Sequence, residues 1–136
     1  MALLDVNALV ALAWDSHVHH ARMLAWWTTR PPAWATCPIT ESGFVRVSSN
    51  PKVLTTPISP ADARRVLAAL RATEGHVFLT DDVSLVDHDV PPVNGHRQVT
   101  DAHLLTLARR SDMPLVTFDS GIAALAGGAG LQLLVR

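Results

Sequence analysis

Short apolar runs alternate with longer amphipathic segments along this chain, and glycine and proline residues separate them. In the longer segments, apolar residues recur at spacings of three and four, which is the period of a helix packed along one face. This alternation is typical of a parallel sheet with helices on both faces. We therefore predict an α/β protein, a three-layer α/β/α sandwich around a mainly parallel sheet of four or five strands.

The apolar runs and helical patterns give approximate element bounds. The predicted strands are residues 2–5, 34–37, 77–79, 115–118 and 131–135, and the predicted helices are residues 7–14, 17–28, 40–48, 61–72 and 100–110. Residues 81–98 contain two adjacent prolines and a glycine, and we expect one short helix and a loop there. We interpret residues 127–130 as a turn and not a phosphate-binding loop, because no predicted helix follows them.

Length and composition indicate one compact domain over residues 1–136. The chain is 49% hydrophobic and 17% charged, which argues against disorder. Its net charge of -1 provides no overall positive field for nucleic acid, so any RNA binding must be local. Cys37 is the sole cysteine, which excludes an intramolecular disulfide and favours a reducing cytoplasm. We expect neither a signal peptide nor a membrane span.

Four acidic residues stand out by their positions: Asp5 and Asp119 follow predicted strands, whereas Glu41 and Asp101 lie in the first turns of predicted helices. In an open parallel sheet, strand carboxyl ends and the amino ends of the following helices share one edge. The four carboxylates are therefore expected to converge. Mg²⁺ prefers such oxygen ligands, and bound Mg²⁺ supports phosphodiester hydrolysis by offsetting phosphate charge and orienting water.

Each acid also has a structural interpretation that remains open. Asp5 could begin a helix, Asp101 could cap one, Glu41 could favour a helix N-terminus, and Asp119 could shape the turn that follows it. The ordered set of four is what favours the functional interpretation.

Four motifs resemble those of the PIN-domain family, and together they span nearly the whole chain. They are Leu3-Leu4-Asp5-Val6-Asn7, Thr40-Glu41-Ser42-Gly43-Phe44-Val45-Arg46-Val47, Thr100-Asp101-Ala102-His103-Leu104-Leu105 and Leu115-Val116-Thr117-Phe118-Asp119. The segment from Cys37 to Pro51 is especially similar to bacterial VapC-type toxins. The resemblance therefore narrows the expectation to that branch of the family.

The resemblance implies a magnesium-dependent endoribonuclease, with Mn²⁺ as a substitute, that is the toxin of a toxin–antitoxin pair. It implies Asp5 and Asp101 as direct metal ligands, with Glu41 and Asp119 completing an acidic cluster that binds metal or positions water. It also implies an RNA substrate, a homodimer, and a VapB-type antitoxin whose C-terminal segment wraps the toxin and obstructs its acidic site.

Three further residues within the motifs are candidates for supporting roles. Asn7 either orients a carboxylate or water, or caps a helix. Arg46, one turn beyond Glu41, is our candidate for an RNA phosphate contact, although each arginine can also be an ordinary solvated charge. Thr117 either touches substrate or packs in a strand as a β-branched residue, and we favour packing.

The histidines and tryptophans of the sequence give weaker evidence about function. His17 and His20 are close enough on a helix to share a metal, but no third ligand is evident, so we favour no metal there. The tryptophans could stack on bases, but their surroundings favour burial in the core or in a partner interface. They are Trp14, Trp26, Trp27 and Trp34.

Two other functions remain open at this point. A haloacid-dehalogenase-like phosphatase also places an aspartate such as Asp5 after a short strand, but residue 7 is Asn, and the expected general acid is missing. The other is a noncatalytic RNA-binding or interaction module on a PIN scaffold, against which the intact set of acids argues.

Overall fold

The structure is a computed structural model that describes residues 1–126 and 130–134. Strands and helices alternate along the described chain. Their order is β1 (Leu3–Leu4), α1 (Val6–Ala13), α2 (His20–Thr29), β2 (Trp34–Thr36), α3 (Pro38–Ser48), α4 (Pro60–Arg71), β3 (His76–Phe78), a 3₁₀ turn (His96–Gln98), α5 (Val99–Arg110), β4 (Leu115–Thr117), α6 (Ile122–Ala126) and β5 (Leu131–Leu133).

The five strands form one sheet in the order β3-β2-β1-β4-β5, and every pair is parallel. β1 lies at the centre, where Leu3 pairs with Ala35 of β2 and with Leu115 of β4. Such pairing requires crossover connections, which the helices supply. The predicted parallel sheet is confirmed, and it has five strands, the larger of the two predicted numbers.

Two hydrophobic clusters cover opposite faces of the sheet. Successive side chains of a strand point to opposite faces, so Leu3 and Leu4, each 0% exposed, join different clusters. Leu4 packs in the cluster that contains Phe44 of α3, and Leu3 packs in the one that contains Leu105 of α5. Burial of each such side chain contributes about 1.5–3 kcal/mol. The three-layer arrangement follows from these two cores.

Helices α1 and α3 approach each other closely beside the end of β1. A Cβ atom added to Gly43 of α3 would lie 2.4 Å from Cγ2 of Val6 in α1. Real Cβ contacts are not that short, so glycine is required for this approach. The contact brings α3 against the residues that follow Asp5.

Some element predictions differ from the structure at their bounds. Helix α2 begins at His20, three residues later than predicted, because His17 N–H donates to Trp14 O and His20 N–H to His17 O in tight turns. Helix α6 was not predicted. The short helix that we predicted within residues 81–98 is the 3₁₀ turn at its end, and residues 81–95 form no helix.

Part of the predicted turn at 127–130 lies outside the described residues, as does the end of the fifth predicted strand. Gly130 itself has φ +73°, a left-handed conformation that favours glycine. Within residues 1–126 and 130–134, no helix combines the length and apolar character needed to cross a membrane.

Candidate active site

Asp5 follows β1 directly and caps α1, and its carboxylate is held from two sides. Oδ1 accepts a 2.7 Å hydrogen bond from Val6 N–H, and Oδ2 accepts a 2.7 Å hydrogen bond from the Thr117 hydroxyl. The side chain is buried. The interpretation that Asp5 begins a helix is therefore correct, and this cap leaves the carboxylate at the carboxyl edge of the sheet.

Thr117, the last residue of β4, links three elements of the site. Its Oγ1 donates to Asp5 and accepts hydrogen bonds from Asn7 Nδ2 at 3.2 Å and from Asp119 N–H at 3.0 Å. Thr117 is 0% exposed, so its hydroxyl would lack water if these partners were removed. The packing interpretation of Thr117 missed this role, since β-branched residues at strand ends give no signal of such contacts.

Asn7 joins the start of α1 to β4. Its Nδ2 donates to Thr117, and its Oδ1 accepts a 3.1 Å hydrogen bond from Phe118 N–H. A helix-capping contact of this side chain is not among its hydrogen bonds; Asp5 is the N-cap of α1. Asn7 thus orients the hydroxyl that holds Asp5, which is an indirect contact with the carboxylate.

Asp119 lies two residues beyond the end of β4 and shapes the turn that follows it. Its Oδ1 accepts a 2.8 Å hydrogen bond from Gly121 N–H, so the turn interpretation is correct. The residue is nevertheless close enough to Asp101 and Asp5 to raise the pKa of both. Asp119 therefore shapes the turn and belongs to the acidic site.

Asp101, in the first turn of α5, carries the clearest electrostatic signal. Burial, followed by repulsion from Asp119 and Asp5, raises its pKa to about 7. Burial also raises the pKa of Asp5, although the hydrogen bonds from Thr117 and Val6 oppose this. No ion pair within the described residues includes these three acids. None of the three carboxylates is therefore neutralised by an ion pair in this part of the chain.

The three acids line one cavity of about 340 Å³ at the carboxyl edge of the sheet. Asn7 and Thr100 also line it. Arg46 and His17 reach the same cavity from α3 and from the turn between α1 and α2. A cavity of this size is adequate for a small ligand or one unit of a polymer. The structure thus brings together five of the six sequence-predicted site residues.

Glu41 is the residue that the structure does not place in this cavity. Its Oε2 accepts a 2.5 Å hydrogen bond from the Thr36 hydroxyl, and its Oε1 lies 3.4 Å from Arg71 Nη1. It lines a separate depression with Arg64 and Arg71 of α4. A position in the first turn of α3 was correctly predicted, but the helix directs this side chain toward α4.

The histidines at and before the start of α2 contact backbone atoms and an aromatic ring. His20 Nδ1 contacts Ala11 O at 2.7 Å, and His17 Nδ1 accepts a hydrogen bond from His19 N–H. His19 stacks on Phe118 with 4.5 Å between ring centroids, which holds this turn against the end of β4. The position of His17 at the acidic cavity had no signal in the sequence, because it depends on that long-range stack.

The donor set fits a hard divalent cation. In the described part of the chain, no three carboxylate, imidazole or thiolate groups stand close enough to ligate one ion together. Mg²⁺ does not require such a cage, because it retains several waters and takes one or two carboxylates directly. Asp5 and Asp101 provide two such groups, and burial together with repulsion from neighbouring acids raises the pKa of both.

Comparison with known proteins agrees with this geometry. The PIN domain family model matches residues 2–128, which is nearly the whole chain. The chain belongs to the PIN-domain family. This membership decides against the haloacid-dehalogenase-like alternative, which started from the position of Asp5 after a short strand.

Curated relatives place this PIN domain in the VapC group. It is 71% identical to Ribonuclease VapC38 of Mycobacterium tuberculosis over 127 residues, covering 93% of this chain and 90% of the relative. It is 47% identical to Ribonuclease VapC39 of the same species, covering 98% of this chain and 99% of the relative. The predicted VapC-type resemblance is therefore confirmed.

Solved structures support the same fold at lower identity. The crystal structure of Mycobacterium tuberculosis VapC20, described as a Sarcin-Ricin loop cleaving toxin, matches with a TM-score of 0.66 and 16% identity over 91% of this chain and 94% of that one. A toxin-antitoxin complex from Klebsiella pneumoniae matches with a TM-score of 0.63 and 18% identity over 97% and 96%. These likenesses concern the fold, which they show to be the three-layer PIN architecture.

Proposed function

We propose that this PIN domain is a magnesium-dependent endoribonuclease and the toxin of a type II toxin–antitoxin pair. The observation that carries the proposal is the convergence of Asp5, Asp101 and Asp119 in one cavity, where burial and mutual repulsion raise the pKa of Asp101 to about 7. Relatives named as VapC ribonucleases support RNA as the substrate class. No overall basic surface is needed, since a bound cation attracts phosphate locally.

Asp5 and Asp101 are the proposed metal ligands, and Mn²⁺ is the proposed substitute for Mg²⁺. When bound, the ion supplies charge compensation for the scissile phosphate and orients the attacking water. Asp119 lies beside Asp101 and positions water from the open side of the cavity, since it is exposed. Thr117 and Asn7 fix the Asp5 carboxylate so that it does not rotate away from the ion.

Arg46 is the proposed phosphate contact of the substrate. It lines the acidic cavity from α3, and no ion pair of the described residues includes it. A free guanidinium beside the acids can bind a phosphate oxygen in a bidentate manner. Glu41 supports this helix indirectly in our proposal, through its contacts with Thr36 and Arg71.

The proposed inhibitor is a VapB-type antitoxin, and the proposed assembly includes a homodimer of the toxin. An antitoxin segment that offers Arg or Lys to Asp5 and Asp101 would compensate their charge in place of metal. The toxin-antitoxin complex from Klebsiella pneumoniae supports such a partnership by its fold and description. Co-expression with the adjacent open reading frame should yield a complex that does not cleave RNA, and cleavage should return after proteolysis of the partner.

Cleavage of an RNA pool tests the enzymatic proposal. Asp5→Asn and Asp101→Asn each remove a charged ligand with almost no change in volume, so we expect loss of Mg²⁺-dependent cleavage with the fold intact. In a thermal melt, Mg²⁺ at 100 times its dissociation constant should stabilise the wild type by about 2.7 kcal/mol and either variant by less. Equal cleavage by wild type and variants would exclude these roles. RNA binding without cleavage by wild type would favour the noncatalytic module.

A further inference from the structure

The acidic cavity also has an apolar side, which the proposed hydrolysis does not use. Val6 and Val10 of α1, Val47 of α3 and Val53 after α3 line it together with the acids. The carboxylates come from the ends of β1 and β4 and from α5, whereas the valines come from α1, α3 and the following turn. Two chemically different surfaces therefore meet in one cavity.

This apolar side is accessible to a ligand. Val53 is 52% exposed although it lines a cavity, and Val47 is only partly buried. An exposed valine beside buried core residues leaves apolar area that a ligand can remove from water. Neither a metal ion nor a phosphate group gains from contact with such a surface.

His17 and Arg46 add two planar groups to the same cavity. Burial lowers the pKa of His17, with smaller effects from His19 and His20, so its ring is mostly neutral at neutral pH. A neutral imidazole and a guanidinium are both suited to stack on a flat aromatic ligand. The stack of His19 on Phe118 fixes the turn that carries His17.

We propose that the valines and His17 form a subsite for an unpaired nucleobase of the RNA, beside the phosphate bound at the acidic end. A nucleotide matches the cavity because its phosphate is anionic and its base is flat and apolar on both faces. A base within a duplex is stacked between its neighbours and does not reach this subsite. This inference rests on the proposed function, which supplies the position of the phosphate.

Binding of small ligands in the presence of Mg²⁺ separates the two ends of the cavity. Ribose 5-phosphate probes the acidic end alone, and a nucleoside 5′-monophosphate probes both ends without offering a phosphodiester bond to cleave. By isothermal titration calorimetry, we expect the nucleotide to bind the wild type about tenfold more tightly than ribose 5-phosphate, equivalent to about 1.4 kcal/mol. Equal affinities would overturn the subsite.

Two variants and one control test whether the tighter binding of the nucleotide depends on this surface. Val53→Ser should reduce it to about threefold or less, equivalent to a loss of about 0.7 kcal/mol or more. His17→Asn should reduce it similarly while keeping an acceptor for His19 N–H. Val86→Ser is the matched control, since Val86 is 91% exposed and outside the cavity lining, and should leave the preference unchanged.

The remaining outcomes distinguish the subsite from its rivals. If Val53→Ser and His17→Asn keep the nucleotide preference but escape inhibition by the antitoxin, the surface binds the partner protein and the nucleobase proposal is wrong. The proposed metal function is wrong if the affinity of the wild type for ribose 5-phosphate is the same with and without Mg²⁺ and is also the same in Asp101→Asn. A base preference that persists in that case would still support the apolar subsite.

Discussion

Replacement of Thr117 by valine removes one hydroxyl from the centre of the acidic site while nearly preserving side-chain shape. Three hydrogen bonds are lost: the one donated to Asp5 Oδ2 and those accepted from Asn7 Nδ2 and Asp119 N–H. The bond to the buried carboxylate is charge-assisted and contributes about 1.5–3 kcal/mol, and each neutral bond about 0.5–1.5 kcal/mol. Asn7 is partly exposed and Asp119 is exposed, so water can replace part of what the two neutral hydrogen bonds contribute.

We therefore expect Thr117→Val to lower the free energy of unfolding at neutral pH by about 2–4 kcal/mol. It should also weaken Mg²⁺ binding, because the hydroxyl lowers the pKa of Asp5 and holds its carboxylate in place. Urea unfolding with and without Mg²⁺ measures both effects. Thr117→Ser should restore most of each, since it keeps the hydroxyl.

Thr106→Val is the matched control for this change. Thr106 is as deeply buried as Thr117, but among the described residues its hydroxyl donates only to Ala102 O within α5. Its loss should lower stability by about 1 kcal/mol or less and leave the response to Mg²⁺ unchanged. Equal stability loss and equal Mg²⁺ response in Thr117→Val and Thr106→Val would refute the central position of Thr117.

The remaining predictions concern charge, packing and the outlying acid. Because the pKa of Asp101 is raised to about 7 from an unfolded value near 3.8, its protonation stabilises the fold at low pH. In EDTA, the wild type should lose stability relative to Asp101→Asn as the pH rises between those values, and parallel pH profiles would contradict this. Gly43→Ala should destabilise by about 1–3 kcal/mol in urea unfolding through its clash with Val6, whereas Gly95→Ala, with no neighbour within 4 Å, should not. Glu41→Gln should retain more RNA cleavage than Asp101→Asn, and an equal loss would return Glu41 to the catalytic cluster.

The order of residues in the sequence was enough to predict the acidic edge, because the topology of a parallel sheet determines which residues lie at that edge. Asp5 and Asp119 follow buried strands, and parallel strands end at one edge whatever their separation along the chain. The position of Asp101 was predicted from the helical pattern of α5, which begins at the same edge and leads into β4. These positions depend on hydrophobic periodicity, which is the strongest signal in a single sequence.

Side-chain direction was the part that periodicity could not predict. Glu41 occupies the expected helical turn, but contacts with Thr36 and Arg71 direct it away from the cavity. Thr117 has the residue type of an ordinary strand, and its role arises from partners more than 100 residues away in sequence. Helix α6 is only five residues long, which is too short for a clear helical period.

The position of a bound metal ion tests the central claim most directly. A crystal of the free protein soaked in Mn²⁺ can be measured at a wavelength where manganese scatters anomalously. We predict an anomalous peak between the carboxylates of Asp5 and Asp101, with Asp119 facing the same ion. A peak beside Glu41, or none at the acidic cavity under saturating Mn²⁺, would contradict the proposed metal site.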